Sequence, residues 1–443
     1  MSIETLASLA VAAGHALPEV PVRRARAMAS PAFDATSSSR ARGWNPQDTS
    51  LNDLLFANLE ALRAKSRDMA RRNAYAANAI EAFVGNAIGT GIVPRVKHPD
   101  PKEKARIQEM WLHWTDESDA DGLTDFYGQQ SLACRTGIES GECIARLRPR
   151  RLTDGLTVPL QIQLLQPDHL PMYLSSGRAK EGNKIRYGIE FDGIGHRVAY
   201  HLYRENPSET FLYGKQDISR VPAENILHLY KPLQPGQQRG QPWLTPVLAT
   251  LYDLERYDTA ELIRKKLAAM VVAFEISQDP SMDATAIMGA ETGTDGVPEE
   301  GLEPGAYYSL PSGKKVEWSN PADVGGMYPE FMSAQLHKIA AGVGIPYEVL
   351  TGDLNGVTYS SIRSGALEFR RRCEAFQHQV MVYQFCRPIW TAWILSAVLA
   401  GKIDAREFER NPHHYLDVEW RPQAWKWVDP VKDVTAEVLA IDN

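Results

Sequence analysis

Apolar residues recur along this chain with two periods, and where each period holds predicts where helices and strands lie. Between Phe331 and Arg372 the period is helical. Met332, Leu336, Ile339 and Val343 step by four and three along one helix face, which Gly344 and Pro346 bring to an end. Further on, Ile362, Ala366, Phe369, Cys373, Phe376, Val380 and Tyr383 keep an unbroken 4-3-4-3-4-3 spacing, the most regular pattern in the chain. The sixteen residues between, Pro346 to Ser361, hold two carboxylates, Glu348 and Asp353, and no basic group. A polar loop of that length held between two helices is expected to do more than connect them.

The same reading extends to the rest of the chain. Leu55, Leu59 and Leu62 mark a helix face from Leu51 to about Val84, with Arg63, Lys65, Arg67, Arg71 and Arg72 on a basic side that reads first as a solvated face. GTGIVPRV at 89–96 has strand and turn character, and residues 101–118 return to helix with Trp111 and Trp114. From Glu142 to about Tyr230, period-two runs bounded by Gly, Pro and Asp predict a mostly antiparallel sheet region. A helix follows over about 244–271, with acids in its earlier turns and Arg264, Lys265 and Lys266 near its end, the order that suits the helix dipole. Residues 272–326 read as an insertion: a short strand through VAFEIS, the acidic loop ETGTDGVPEE and a hairpin-like YYSLPSGKKVEWSNP. The fold class is α+β, without internal repeats. The seam of 362–383 spans too few heptads for a self-contained coiled coil, so that helix is expected to pack within its protomer and against the next one.

Composition narrows the function. With 443 residues, 44% hydrophobic and 23% charged, the chain has the balance of a globular protein of two or three domain-sized units. A net charge of −7 argues against a protein built to grip nucleic acid by its phosphates, though not against one that lets DNA pass. Four cysteines without CxxC spacing read as buried thiols in a reducing compartment. Residues 1–50, rich in Ala, Ser, Arg and Pro, read as an arm; Glu4 and the lack of an early basic residue argue against a signal peptide. The apolar run 388–401 is too short for a membrane span.

Catalytic constellations fail on spacing. No GxxxxGK[ST] is present, Gly137 to Gly141 is one residue off the GxSxG elbow, and His413-His414 lacks an HExxH partner. The acidic stretch Glu117 to Gly122 imitates a calcium loop, but the twelfth position falls on Gly128. Asp353 and Glu348 have no nucleophilic neighbour and suit a repulsive lining better than acid–base work. No cofactor, metal or enzymatic activity is expected. A DNA-processing enzyme such as a nuclease or recombinase would need metal-binding carboxylates or a nucleophile, and a membrane secretion ring would need a span or closed lipid-facing strands.

The run VGIPYEVLTGDLNGVTYSSIRSGALEFRRR resembles the hallmark segment of lambda-type phage portal proteins. RARGWNP at 40–46, ARRNAYAANAIEAFVGNAIGTGI from Ala70, LLQPDHL from Leu164, GIEFDGIGHRVAYHLYRENP from Gly188, VPAENILHLYKPLQPGQQRGQPWL from Val221 and NPADVGGMYPEFMSAQL from Asn320 resemble the same family in the same order. The resemblance covers roughly residues 40–430. It implies a structural ring, twelve-fold in the particle, at one vertex of the phage head, formed during assembly in the host cytoplasm. Double-stranded DNA is packaged and ejected through such a ring. The implied partners are further copies of the chain, the terminase large subunit, the major capsid protein and scaffold, a head–tail adaptor, and DNA held without sequence preference; no membrane is implied.

Mapped by the resemblance, 1–50 is an N-terminal arm and 51–238 a mixed α/β wing completed by 362–402. Residues 239–271 and 327–345 are the two stem helices, 272–326 a small α/β clip, 346–361 a tunnel loop and 362–402 a long helix. In 403–443, ending at Asn443 soon after WVDPVKDV, the crown is small or absent. The expected channel lining is Thr351, Asp353, Asn355, Thr358, Tyr359, Ser360 and Ser361, whose short polar side chains make passing phosphate contacts that position DNA without identifying bases. Tyr359 reads as an anchor for the loop, and Gly352 and Gly356 as its source of backbone freedom. The expected motor or adaptor contact is Glu291, Thr292, Thr294, Asp295, Glu299 and Glu300.

Overall fold

A computed structural model of the protein describes residues 48–175, 182–208, 217–269, 328–356 and 358–425, and the backbone alone of 273–277, 291–292, 298–299 and 314–318. Met1–Ser50 and Leu51–Asn443 are separate units, and the elements below belong to the second. Helices α1 (Leu51–Arg72) and α2 (Ala74–Ala87) open it, broken at Asn73, whose side chain accepts from the Ala76 amide at 3.0 Å. Strand β1 (Val93–Val96) leads to α3 (Pro101–Glu117) and α4 (Phe126–Ser140). Asp100 and Asp125 cap these two helices through the amides of Lys102 (2.9 Å) and Gly128 (2.7 Å), each supplying an acceptor to donors the helix leaves free.

The sheet region is antiparallel as its period predicts, and it divides in two. Strands β2 (Glu142–Pro149), β3 (Leu160–Leu165) and β8 (Ile226–Tyr230) form a sheet in the order β3-β2-β8. Between β3 and β8 in sequence, β4 (Lys184–Arg186), β5 (Ile189–Phe191), β6 (Arg197–Tyr203) and β7 (Ile218–Pro222) form a second, four-stranded sheet. Both faces of β2 are used. Cys143, Ala145 and Leu147 join the main core, whereas Ile144 joins a second core with Leu170, Ile189, Tyr200, Leu202 and Val221.

Helix α5 (Leu248–Ala269) then enters the insertion, of which β9 (Ala273–Ser277), β10 (Glu291–Thr292), β11 (Pro298–Glu299) and β12 (Lys314–Trp318) are described. Strand β12 runs antiparallel to β9, from Lys314 opposite Ser277 to Trp318 opposite Ala273, and the upstream half of the expected hairpin lies outside the described residues. Helices α6 (Tyr328–Val343), α7 (Tyr347–Thr351) and α8 (Tyr359–Phe376) follow, and α8 continues through a π-helical stretch, Gln377–Cys386, into α9 (Arg387–Leu399). Short helices α10 (Ala405–Arg410) and α11 (Pro412–Leu416) bring β13 (Val418–Arg421) back to pair with β1.

The ten-residue π stretch corrects the apolar seam. A π-helix turns less per residue than an α-helix, so a 4-3 spacing drifts off the buried face. Phe369, Cys373, Phe376 and Val380 are buried, but Tyr383 is 65% exposed and Phe385, Cys386 and Ile389 take its place inside. On the same stretch, Gln384 exchanges two 3.0 Å hydrogen bonds with the backbone of Tyr230 and so satisfies the free edge of β8. The main core centres on Trp111, Trp114, Phe126, Trp390 and Trp393, with Trp111 ring centroids 4.9 Å from Trp114 and Trp390. All four cysteines are buried and unpaired.

The basic side expected on α1 is not wholly solvated. Arg63 and Arg239 both pair with Glu142, which is fully buried and also accepts from the Gly240 amide at 2.7 Å and contacts His228 Nε2 at 2.9 Å. Burial alone would raise the Glu142 carboxyl, but Arg239, Arg63 and His228 hold it well below the usual range. This knot ties α1, β2, β8 and the segment before α5 together. Gly240 permits the approach: a Cβ there would stand 2.1 Å from the Gly141 carbonyl oxygen.

Candidate functional site

The segment between α6 and α8 is built from its ends inward. Helix α6 sends Leu336, Ile339 and Ala340 into the core and stops at Gly344, whose φ of 86° lets the amides of Gly344 and Ile345 both reach the Ala340 carbonyl. A side chain at that positive φ would be strained, and a Cβ on Gly344, 2.6 Å from Arg372 Nη1, would also require the end of the Arg372 side chain to move. The expected sixteen-residue loop is not continuous: five of its residues form α7, and Leu350 on that helix is 1% exposed. The apolar side chain supplies the reason, since burying it requires a folded turn rather than an open loop. Asn78 on α2 holds α7 in place, its Nδ2 donating to the carbonyls of Val349 and Leu350 at 2.8 Å each. From the other side, His337 stacks on Tyr347 with ring centroids 3.9 Å apart and planes 7° from parallel.

Helix α8 also begins inside the expected loop. Thr358 caps it reciprocally with Ser361: Thr358 Oγ1 accepts from the Ser361 amide at 3.3 Å, and Ser361 Oγ accepts from the Thr358 amide at 3.1 Å. What remains non-helical is Gly352–Gly356 and Thr358, with Val357 outside the described residues. Thr351 is half-buried, donating to the Tyr347 carbonyl at 2.9 Å and accepting from the Asp353 amide at 3.1 Å. Half-buried Asp353 accepts from the Asn355 amide at 2.9 Å. Asn355 and Thr358 are exposed, as is Ser361, while the side chains of Tyr359 and Ser360, at the start of α8, lie outside the described residues.

Of the expected lining, therefore, Asn355 and Thr358 keep side chains on the open loop, and Thr351 and Asp353 hold its shape. Sequence reasoning passed over Leu354, which is 64% exposed at the loop's centre. Its signal was there to read: an apolar residue set between Asp353 and Asn355, with glycine on either side of the trio. The first basic residue after the loop is Arg363, one turn into α8.

Helix α6, which leads into this segment, pairs with α5. Tyr257 on α5 lies 4.8 Å from Phe331 and 6.0 Å from Tyr328 on α6, and Tyr328 bonds Asp258 through its hydroxyl. Leu262 and Ile263 on α5 are 54% and 51% exposed, and Phe331 is 42% exposed. Of the expected insertion contacts, Glu291 pairs with Glu299 and Thr292 with Pro298 through the backbone, and Thr294, Asp295 and Glu300 lie outside the described residues.

The calcium-like stretch has another use. Asp119 accepts from the amides of Asp121, Leu123 and Thr124 and from Gln129 Nε2 at 2.8–3.2 Å, so its oxygens organise the turn into α4. Among the described residues no helix is long and apolar enough to cross a membrane.

Comparison with known proteins bears on most of the chain. A probable portal protein of Halomonas phage phiHAP-1 is 27% identical over 405 residues, covering 88% of this chain and 76% of that protein. Portal protein B of Escherichia phage lambda is 22% identical over 454 residues, covering 90% and 81%. A chain in the virion of a native gene transfer agent particle aligns over 89% of both chains with a TM-score of 0.48 and 12% identity. The profile of phage portal proteins of the lambda family matches residues 37–377, which take in the wing-like sheets, the helix pair and the loop just described. The chain belongs to the lambda family of phage portal proteins.

Proposed function

We propose that this chain forms the closed ring at the unique capsid vertex through which double-stranded DNA enters and leaves the head, twelve-fold as the family resemblance implies. The family match over residues 37–377 carries this reading. In it, α5 and α6 are the stem, Gly352–Thr358 is the tunnel loop facing DNA, and the insertion between the stem helices is the clip that meets the terminase motor and later the head–tail adaptor. The wing meets capsid protein and scaffold, and assembly takes place in the host cytoplasm. The exposed Leu262, Ile263 and Phe331 support ring closure, because apolar side chains on a paired-helix face gain from cover by the next copy, and a ring needs two different faces of one protomer to meet.

The loop's composition supports passage over grip. Each phosphate neutralised by a fixed cation adds affinity through counterion release, so a lining without Lys or Arg lets the duplex slide. Native mass spectrometry and electron micrographs of the purified protein test the reading. Closed rings with a central opening are the expected result; a monomer at micromolar concentration across salt conditions would overturn it.

A further inference from the structure

Beyond the packed part of the two-sheet interface, β2 carries the side chains least expected there. Its inner face begins with Ile144 in the second core, and the same face continues two and four residues on as Arg146 and Arg148. Both are half-buried, and neither has a hydrogen-bond or ion-pair partner among the described residues. Burial and then the nearby Arg148 charge push the Arg146 guanidinium below its ordinary value. Two like charges held in a cleft between sheets are unfavourable unless something neutralises them.

The cleft has room for that something. Two cavities of about 330 and 430 Å³ share Arg146 and Arg148 as a common wall. Arg150, Arg220 and Asn225 add to the first, and Gln163, Arg204 and Ser219 to the second. Among the described residues no carboxylate lines either one. Glu190, on the four-stranded sheet, is engaged with Arg220 at 2.8 Å, His201 at 3.0 Å and Asn183 at 2.8 Å, and the Arg150 guanidinium donates to the Gln161 amide oxygen at 2.8 Å. The chain as a whole is acidic, so this is a local attraction against the general field.

We propose that this double cavity binds the phosphodiester backbone of a nucleic-acid strand, with Arg146 and Arg148 taking successive phosphates and no base being read. Planar guanidinium forks match phosphate oxygens in pairs, and amide and hydroxyl donors such as Gln163 and Ser219 complete such contacts. Two adjoining cavities bridged by arginines on alternate residues suit consecutive units of a polymer better than one isolated anion. The site is distinct from the channel loop, which has no cation, and it relies on the channel reading only for the source of the strand, the packaged genome.

The test is fluorescence anisotropy of the full-length protein with a labelled oligonucleotide, as duplex and single strand, across a salt series, with polyglutamate and inorganic phosphate as competitors. R146Q/R148Q should weaken oligonucleotide binding about tenfold at the low-salt end of a fourfold salt range and much less at the high-salt end, lowering the log–log salt slope by about 2, one unit for each phosphate contact removed. Gln163→Glu, opposite Arg146 across β2 and β3, should also weaken binding while leaving thermal stability equal or higher, because the new carboxylate pairs with Arg146. That opposite movement separates a lost site from a damaged fold. Parent-like affinity and slope in both variants would overturn the proposal. So would polyglutamate binding the parent more tightly than the oligonucleotide and losing that binding in the variants, which would make the cleft a dock for an acidic protein segment. Unchanged binding in variants that form normal rings leaves the channel reading standing; a failure to form rings overturns the channel reading without bearing on the comparison of variants.

Discussion

Glu142 shows how much of this fold hangs on one side chain. Its carboxylate is the shared partner of Arg63, Arg239, His228 and the Gly240 amide, all of them buried or nearly so. Removing one member of a buried charge cluster leaves the others without their counter-charge, so Glu142→Gln should cost about 3–5 kcal/mol in urea unfolding. His228 gives the same knot a pH signature. Burial pushes its imidazole from 6.5 down to about 4 against the pull of Glu142. The folded His228 thus stays neutral where the unfolded one is already protonated. Its contribution to stability is present above pH 6.5 and is lost as pH falls toward 4. The melting temperature should fall across that window, and His228→Gln, which keeps a donor for Glu142, should flatten the fall.

At the scale of elements, periodicity located most helices and the antiparallel sheet region, though not its division into two sheets, and failed where the backbone departs from a single period. The spacing through Phe369, Cys373, Phe376 and Val380 was legible because those residues do face the core. Tyr383 was misplaced because no composition signal marks the π stretch that rotates it outward. The pairing of β1 with β13, and of β9 with β12 across the insertion, joins segments too far apart in sequence for a local pattern to specify. In the loop, the apolar Leu350 and the Thr358 and Ser361 pair were readable as a buried helix and a cap, but the run of polar residues suggested one open stretch. Asn78 is the element-level control of that loop, since its two bonds to α7 are made from another helix. Asn78→Ala should lower stability by about 1–2 kcal/mol, on the order of the net worth of two hydrogen bonds. It should also speed hydrogen exchange in Tyr347–Thr351 relative to α6; equal exchange rates would mean that the His337–Tyr347 stack alone holds the helix.

For the whole molecule, the charge arrangement fits the proposed channel, with a lining that does not grip DNA and the cations set apart from it. The loop Gly352–Thr358 has no Lys or Arg in its sequence, its exposed side chains among the described residues are Leu354, Asn355 and Thr358, and the β2 arginines, without a partner among the described residues, lie in a cleft between two sheets. Single-chain sequence reading reaches this scale only through the family, because a ring's closure belongs to contacts between copies. The most direct measurement is the DNA-packaging rate of heads carrying N355K/T358K in rings shown to be intact. If the loop lines the channel, the added cations create sticking points, so packaging slows or stalls at low salt and recovers as salt screens the new phosphate contacts. Packaging at the parental rate at low salt would contradict the account and place the DNA path away from this loop.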